Sequence, residues 1–228
     1  MLSSVELANR VRKHALQMTN KSGASHIGAV LSIADIMAVL YADILRVFPE
    51  NEKDERRDRF ILSKGHAGIA VYAILAELGF FDLSLLDTYY QNGSKLSGHI
   101  SHKDVPGVEF STGSLGHGVC VAAGMALAAK YNKQLHQVIT LMGDGECQEG
   151  SVWEMAMFAA HQKLNNLTVV IDHNKLQSLD TLENTMSIRN LPERWKAFGW
   201  EVTEVDGHCH EALRKAFFQT KTDAPNCI

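Results

Sequence analysis

Much of what would point to a specialised chain is scarce here. Only four of 228 residues are proline and 7% are aromatic, too few for a Pro-rich spacer or an aromatic stacking platform for nucleic acid. The four cysteines, Cys120, Cys147, Cys209 and Cys227, are scattered with no C-x-x-C pair. That excludes a disulfide framework and predicts free thiols in a reducing cytoplasm. The "GHCH" run at 207–210 matches no common structural zinc spacing and has no second ligand pair to complete it. Neither charge sign dominates: the net charge is -4, with no basic face for nucleic acid or an anionic membrane. The opening residues, "MLSSVELANRVRKH", lack the apolar core of a signal peptide. The longest apolar run, Val119 to Ala129, contains Gly124 and is too short to span a bilayer. The expectation is therefore no membrane span and no nucleic-acid partner.

What is present is 46% hydrophobic residues in a chain long enough for one large core. Apolar strands and helices alternate, with glycine at the joints. "RFILS" (59–63), "QVITLM" (137–142) and "LTVVID" (167–172) read as short buried strands. Helical periodicity covers 5–19, 119–131, 152–164 and 211–218; "KGHAG" opens a helix that Gly79 stops. Ser32 to Asp35 reads as a capping-box start for a helix reaching about Leu45. "WEVTEVD" alternates as a strand, and "DAPNCI" reads as the beginning of another. Continuous rather than alternating apolar strands predict an α/β fold, a mostly parallel sheet with helices on both faces, as a single domain over 1–228.

In such sheets ligands bind beyond the carboxyl ends of the strands, where helix N-termini offer free N–H groups. Three strand ends carry reactive side chains. "ILSKGHAG" presents His66 at a helix start, a reasonable phosphate site. "LMGDGE" places Asp144 between Gly143 and Gly145, followed by Glu146 and Glu149; "VVIDHNKLQ" ends in Asp172, His173 and Asn174. If these two strands are neighbours, Asp144 and Asn174 meet. A carboxylate and an amide oxygen, completed by a backbone carbonyl, suit Mg²⁺ that takes its other ligands from phosphate and water. The glycines let a diphosphate approach the backbone. Gly-Asp-Gly alone is also a common turn, so the pairing of two strand ends carries this reading. "GSLGHG" has the order G-x-x-G-x-G with no strong strand leading into it, which disfavours a dinucleotide fingerprint. Met125, Met155 and Met157 read as core packing, and His136 and His161 as surface positions.

With these motifs in place, the chain resembles the transketolase family. "GDG" followed by "DHN" is similar to the thiamine diphosphate signature. "SGASHIGAVLSIADIMAVLY", "RFILSKGHAGIAVYAIL" and "LSGHISHKDVPGVEFSTGSLGHG" resemble the family's histidine and cofactor-loop segments, in the family's order. The resemblance covers nearly the whole chain and implies the diphosphate-binding (PP) domain of a thiamine diphosphate enzyme. It implies Asp144, Asn174 and the carbonyl of Leu176 as Mg²⁺ ligands. Gly145 and His66 would hold the diphosphate, and Gly113, Ser114 and Leu115 would lie along the aminopyrimidine. Gly143 and Glu146 belong to the same cofactor turn. His26, His66 and His99 would line the channel to the reacting centre as catalytic residues, and Glu149 would sit at the subunit interface near a partner glutamate. Two positions depart from the family pattern: His117 replaces a common glutamine, and Ser114 stands where many long members have proline.

The pyrimidine and C-terminal domains of a complete transketolase do not follow within 1–228, nor does a further histidine-bearing loop. The resemblance thus implies the N-terminal subunit of a split transketolase, incomplete at its C-terminus. It would act on sugars or sugar phosphates with a C-terminal partner subunit, as a heterotetramer of two copies of each. The alternatives are a subunit like that of deoxyxylulose-phosphate synthase, or a non-catalytic cofactor-binding subunit.

Overall fold

The computed structural model describes residues 2–219 and 222–228. Helix α1 (Ser4–Ser22) opens on a capping box, with the Ser3 hydroxyl accepting from the Glu6 N–H, and closes on Gly23 in the left-handed region. Helix α2 (Ile27–Val39) runs on through a π-turn at Leu40–Ile44. Then come β1 (Arg59–Leu62), α3 (Gly68–Glu77), α4 (His117–Tyr131), β2 (Val138–Gly143), α5 (Gly150–His161) and β3 (Leu167–Asp172). Short helices α6 (Leu182–Met186) and α7 (Leu191–Ala197), strand β4 (Glu201–Val202), helix α8 (His210–Phe217) and strand β5 (Asn226–Cys227) complete the described chain.

The strands form one five-stranded sheet in the order β1-β2-β3-β5-β4, parallel throughout. Side chains alternate across it. Phe60, Leu62, Ile139, Leu141 and Val170 pack under α1, α2 and α3, with Leu213 of α8. Ile61, Val138, Met142, Leu167 and Val169 pack under α4, α5 and Trp195 of α7. Both faces are covered, which is why the strands read as continuous apolar runs.

Several expectations need correction. Ser32 and Asp35 lie inside α2 and do not start it; the helix begins at Ile27 after His26, which adopts the left-handed conformation (φ 73°). Both polar side chains find tertiary partners: the Ser32 hydroxyl donates to Asp172, and Arg12 pairs with Asp35. The strand expected in "DAPNCI" forms as β5, inserted between β3 and β4. His136 is buried, within reach of the charges of Arg59 and Asp58, and Met157, read as core packing, is exposed. The "WEVTEVD" strand shortens to two residues. A longer helical stretch, Ile27–Ile44, interrupts its apolar residues with Ser32, Asp35 and Asp43. By length and composition it could cross a bilayer, but 56% of it is buried within this fold.

Candidate active site

The C-terminal ends of β1, β2 and β3 lie side by side, with Gly143 in register with Asp172. After β1 the chain turns through Ser63, Lys64, Gly65 and His66 into α3. The loop carrying His99 crosses directly over this turn: Ile100 N–H donates to the Gly65 carbonyl (3.0 Å), and the Thr112 hydroxyl donates to that of Leu62 (2.5 Å). A Cβ at Gly65 would run into the Thr112 carbonyl, and one at Gly68 would lie 2.9 Å from Ile100 N. The glycines therefore bring His99 to His66. His26 completes the group, its ring centroid 5.2 Å from His66 and 5.9 Å from His99. A left-handed histidine is a strained choice, tolerated where tertiary structure holds it.

Burial lowers the pKa of His66 to about 4, helped by the charge of Lys64 and by the neighbouring rings. His26 is lowered as well, by burial and then by His99. Both rings are thus neutral near pH 7, able to donate through one nitrogen and accept through the other.

The glycine loop is fixed from behind. Gly116 adopts φ 78°, where a Cβ would meet Ser151 Oγ at 2.5 Å. Its N–H donates to the buried Glu146 carboxylate (2.8 Å), which also accepts from Gly143 N–H (3.2 Å) and from the Ser63 hydroxyl. Glu146 ties three segments of the site together, with its oxygens taken by protein donors. Burial pushes its carboxyl upward.

The turn after β2 presents Asp144, 2% exposed, with one oxygen accepting from Gly145 N–H and the other from Lys175 N–H, each at 2.7 Å. Burial raises its pKa against these donors. After β3 the amide oxygen of Asn174 accepts from Leu176 N–H (2.9 Å). The following loop folds back: Leu182 N–H donates to the Lys175 carbonyl and Gln177 N–H to that of Asp180. Leu176 opposite Thr181 occupies the non-bonded position of this small ladder, which leaves its carbonyl outside it.

One cavity of about 1090 Å³ joins these parts. His26, His66, His99, Gly113, Leu115, Gly143, Asp144, Gly145, Glu146, Glu149, Asn174 and Leu176 all line it. Ser114 does not; its carbonyl accepts from the N–H of the exposed His117 (3.4 Å). The structure adds two residues to which the sequence alone gives no role. Lys64, 2% exposed, pairs with Asp172 (2.6 Å), and Gln177 lies against Gly145. Lys64 had a signal, a lysine at a buried strand end, but its partner lies 108 positions away. Gln177 had none.

The donor set tests what such a cavity can hold. Among the described residues no three His, Cys, Asp or Glu side chains cluster for a metal. A cation here would thus have amide and carbonyl oxygens beside Asp144, and would draw the rest from a ligand. Space over Gly143 is open within 4 Å of a Cβ position, and Nε2 of Gln177 is buried beside Gly145 with no partner in the described chain. A buried carboxylate with its charge disfavoured, glycines at two strand ends and an unpaired donor fit a cation carrying a diphosphate.

These features define an α/β domain that binds a diphosphate cofactor at the ends of a parallel sheet. Residues 3–228 match the family described as transketolase, thiamine diphosphate binding domain. An apulose-4-phosphate transketolase subunit of Phocaeicola vulgatus is 45% identical over 206 residues, 90% of this chain and 73% of that protein. A 6-deoxy-6-sulfo-D-fructose transketolase subunit of a Clostridium species is 40% identical, over 94% of this chain and 78% of that one. The crystal structure of Campylobacter jejuni transketolase superposes with a TM-score of 0.91 at 34% identity, covering 100% of this chain and 37% of that one. The chain thus spans most of the length of the two subunits and about a third of the larger enzyme. It belongs to the transketolase family, and it is the thiamine diphosphate-binding part of such an enzyme.

Proposed function

We propose that this chain is the cofactor-binding subunit of a two-chain transketolase, moving a two-carbon ketol unit from a ketose or ketose phosphate to an aldose acceptor. The observation that carries the reading is the single cavity uniting three converging histidines with the Asp144 and Asn174 turns. Asp144, Asn174 and the Leu176 carbonyl would hold Mg²⁺, and the turns at Gly143 to Gly145 and at His66 would hold the diphosphate. Gly113 and Leu115 would border the rest of the cofactor, with Ser114 contributing backbone alone. Thiamine diphosphate, once bound, supplies the electron sink that lets a bond beside a carbonyl break and re-form.

The chain's own residues bind, orient and move protons. His66 and His26, kept neutral by burial, give and take protons at sugar hydroxyls without first losing a charge. His99 faces the same space from the crossing loop. Glu146, its carboxylate oxygens taken by protein donors, holds Gly116 and Gly143 in place for the cofactor.

A partner chain carrying pyrimidine and C-terminal domains, in a heterotetramer of two copies of each chain, completes the enzyme on this reading. Glu149 is exposed at the start of α5, and Met157 and Phe158 of α5 and Tyr131 of α4 expose apolar surface that fits a contact between chains. Four free cysteines, two of them buried, agree with a cytoplasmic enzyme.

The test is ketol transfer by the chain mixed with its partner, Mg²⁺ and thiamine diphosphate. His26→Ala, His66→Ala and His99→Ala are each expected to lower kcat/KM. Unchanged kcat and KM in a variant would remove that histidine from the mechanism. A pyruvate-dependent reaction releasing CO₂, without ketol transfer, would overturn the transketolase reading.

A further inference from the structure

Gln177 is the one cavity residue whose polar group is buried and has no partner among the described residues. Its Nε2 lies 2.8 Å from where a Cβ on Gly145 would stand, with Cδ and Cγ at 3.1 Å. The side chain therefore rests on the glycine of the strand-end turn. A buried amide donor without an acceptor is unfavourable, and native proteins keep few of them. At a binding site the missing partner can be a ligand atom.

The backbone fixes where this donor stands. Lys175 N–H is held by Asp144, Lys175 adopts φ 62°, and the ladder from Gln177 to Asp180 and from Lys175 to Leu182 closes the segment on itself. The backbone on both sides of Gln177 is thus pinned to the turn that carries Asp144. Gly145 is needed for the same reason: a side chain there would occupy the space of the glutamine amide.

We propose that Gln177 is a diphosphate-binding residue, its amide N–H₂ donating to a phosphate oxygen of the cofactor held over Gly145. The inference rests on the thiamine diphosphate reading above. It assigns to the Gln177 side chain a recognition of the anionic end of the ligand, distinct from the roles proposed for Asn174 and Leu176, which precede it. Hydrogen bonds to a charged oxygen are among the stronger ones, and this one would be made by a donor already fixed in place.

The experiment compares wild type with Gln177→Met and Gln177→Glu in the reconstituted enzyme. Calorimetry measures binding of thiamine diphosphate and of thiamine, both with Mg²⁺, and thermal melts confirm that the variants fold. Methionine keeps the bulk that packs on Gly145 but has no donor; glutamate keeps the shape and repels the anion. The expected result is roughly a tenfold or greater loss of thiamine diphosphate affinity in Gln177→Met, a larger loss in Gln177→Glu, and thiamine binding unchanged in both. Equal diphosphate affinity in wild type and Gln177→Met would overturn the assignment and leave the cofactor reading standing. Parallel losses for thiamine and thiamine diphosphate would overturn it too, showing a packing role. No diphosphate binding by the folded wild-type enzyme would overturn both.

Discussion

Replacing Lys64 by methionine isolates the ion pair beneath the site. The ammonium is 2% exposed and lies 2.6 Å from Asp172. Asp172 is itself buried and also accepts from the Ser32 hydroxyl (2.7 Å) and the Asn174 amide (3.0 Å). Methionine fills most of the lysine stem's volume, so the change removes a charge more than it opens a cavity. Breaking a buried pair from one side costs about 3–5 kcal/mol, because the remaining charge stays buried. The two surviving donors to Asp172 put this case at the lower end, about 3 kcal/mol. For a chain of this size that corresponds to a melting temperature lowered by about 6–12 °C. Asp172→Asn should be costly as well, since it strands the ammonium. The double variant Lys64→Met/Asp172→Asn removes both charges and should lose less than the sum of the singles by about 2 kcal/mol or more. Urea unfolding of the four proteins, followed by the fluorescence of Trp153, Trp195 and Trp200, reads this cycle directly. Single losses that add to within about 0.5 kcal/mol, or a Lys64→Met loss under about 1 kcal/mol, would refute the argument.

Two further outcomes follow from the geometry of the histidine group. The imidazole of His66 is expected to show no inflection in an NMR titration between pH 8 and 5, because burial holds its pKa near 4. The fold favours the neutral ring, so the resulting stability is full above the unfolded value near 6.5 and is lost as pH falls from there through about 4. With the ring partly open to the cavity, the effect is about 1–2 kcal/mol after solvent screening. A His66→Gln variant should lack this acid-sensitive component, and an inflection near pH 6.5 in the native protein would contradict the assignment. Gly65→Ala drives a methyl group into the Thr112 carbonyl, which is backbone and has little room to move. A loss of about 1–3 kcal/mol is expected from overpacking, together with weaker cofactor binding as the His99 loop lifts; a wild-type melting temperature would contradict it.

The parts of the site that could be read from sequence are those written locally. Asp144 and Asn174 stand at the ends of two apolar runs, and the runs identify themselves as strands within six residues each. The glycines of "SKGHAG" and "GSLGHG" mark sharp turns for the same reason. The start of α2 is not legible locally because a left-handed residue opens it, and His26 takes that conformation only through tertiary support. Ser32 and Asp35 resemble cap residues in sequence because their partners, Asp172 and Arg12, are 140 and 23 positions away. The insertion of β5 between β3 and β4 is a crossover, and no local pattern records it. Lys64 and Gln177 illustrate the same limit at the site: each has meaning only through what the fold sets against it.

The proposed function rests on a Mg²⁺-dependent thiamine diphosphate site anchored at Asp144. Calorimetry reads it without an activity assay: thiamine diphosphate binding, with and without Mg²⁺, to the chain in complex with its partner and to the same complex carrying Asp144→Ala. Binding is expected to require Mg²⁺ and to be lost in the variant while the fold is kept. Binding that is indifferent to Mg²⁺ and to Asp144→Ala, or no binding by the folded wild-type complex, would contradict that site.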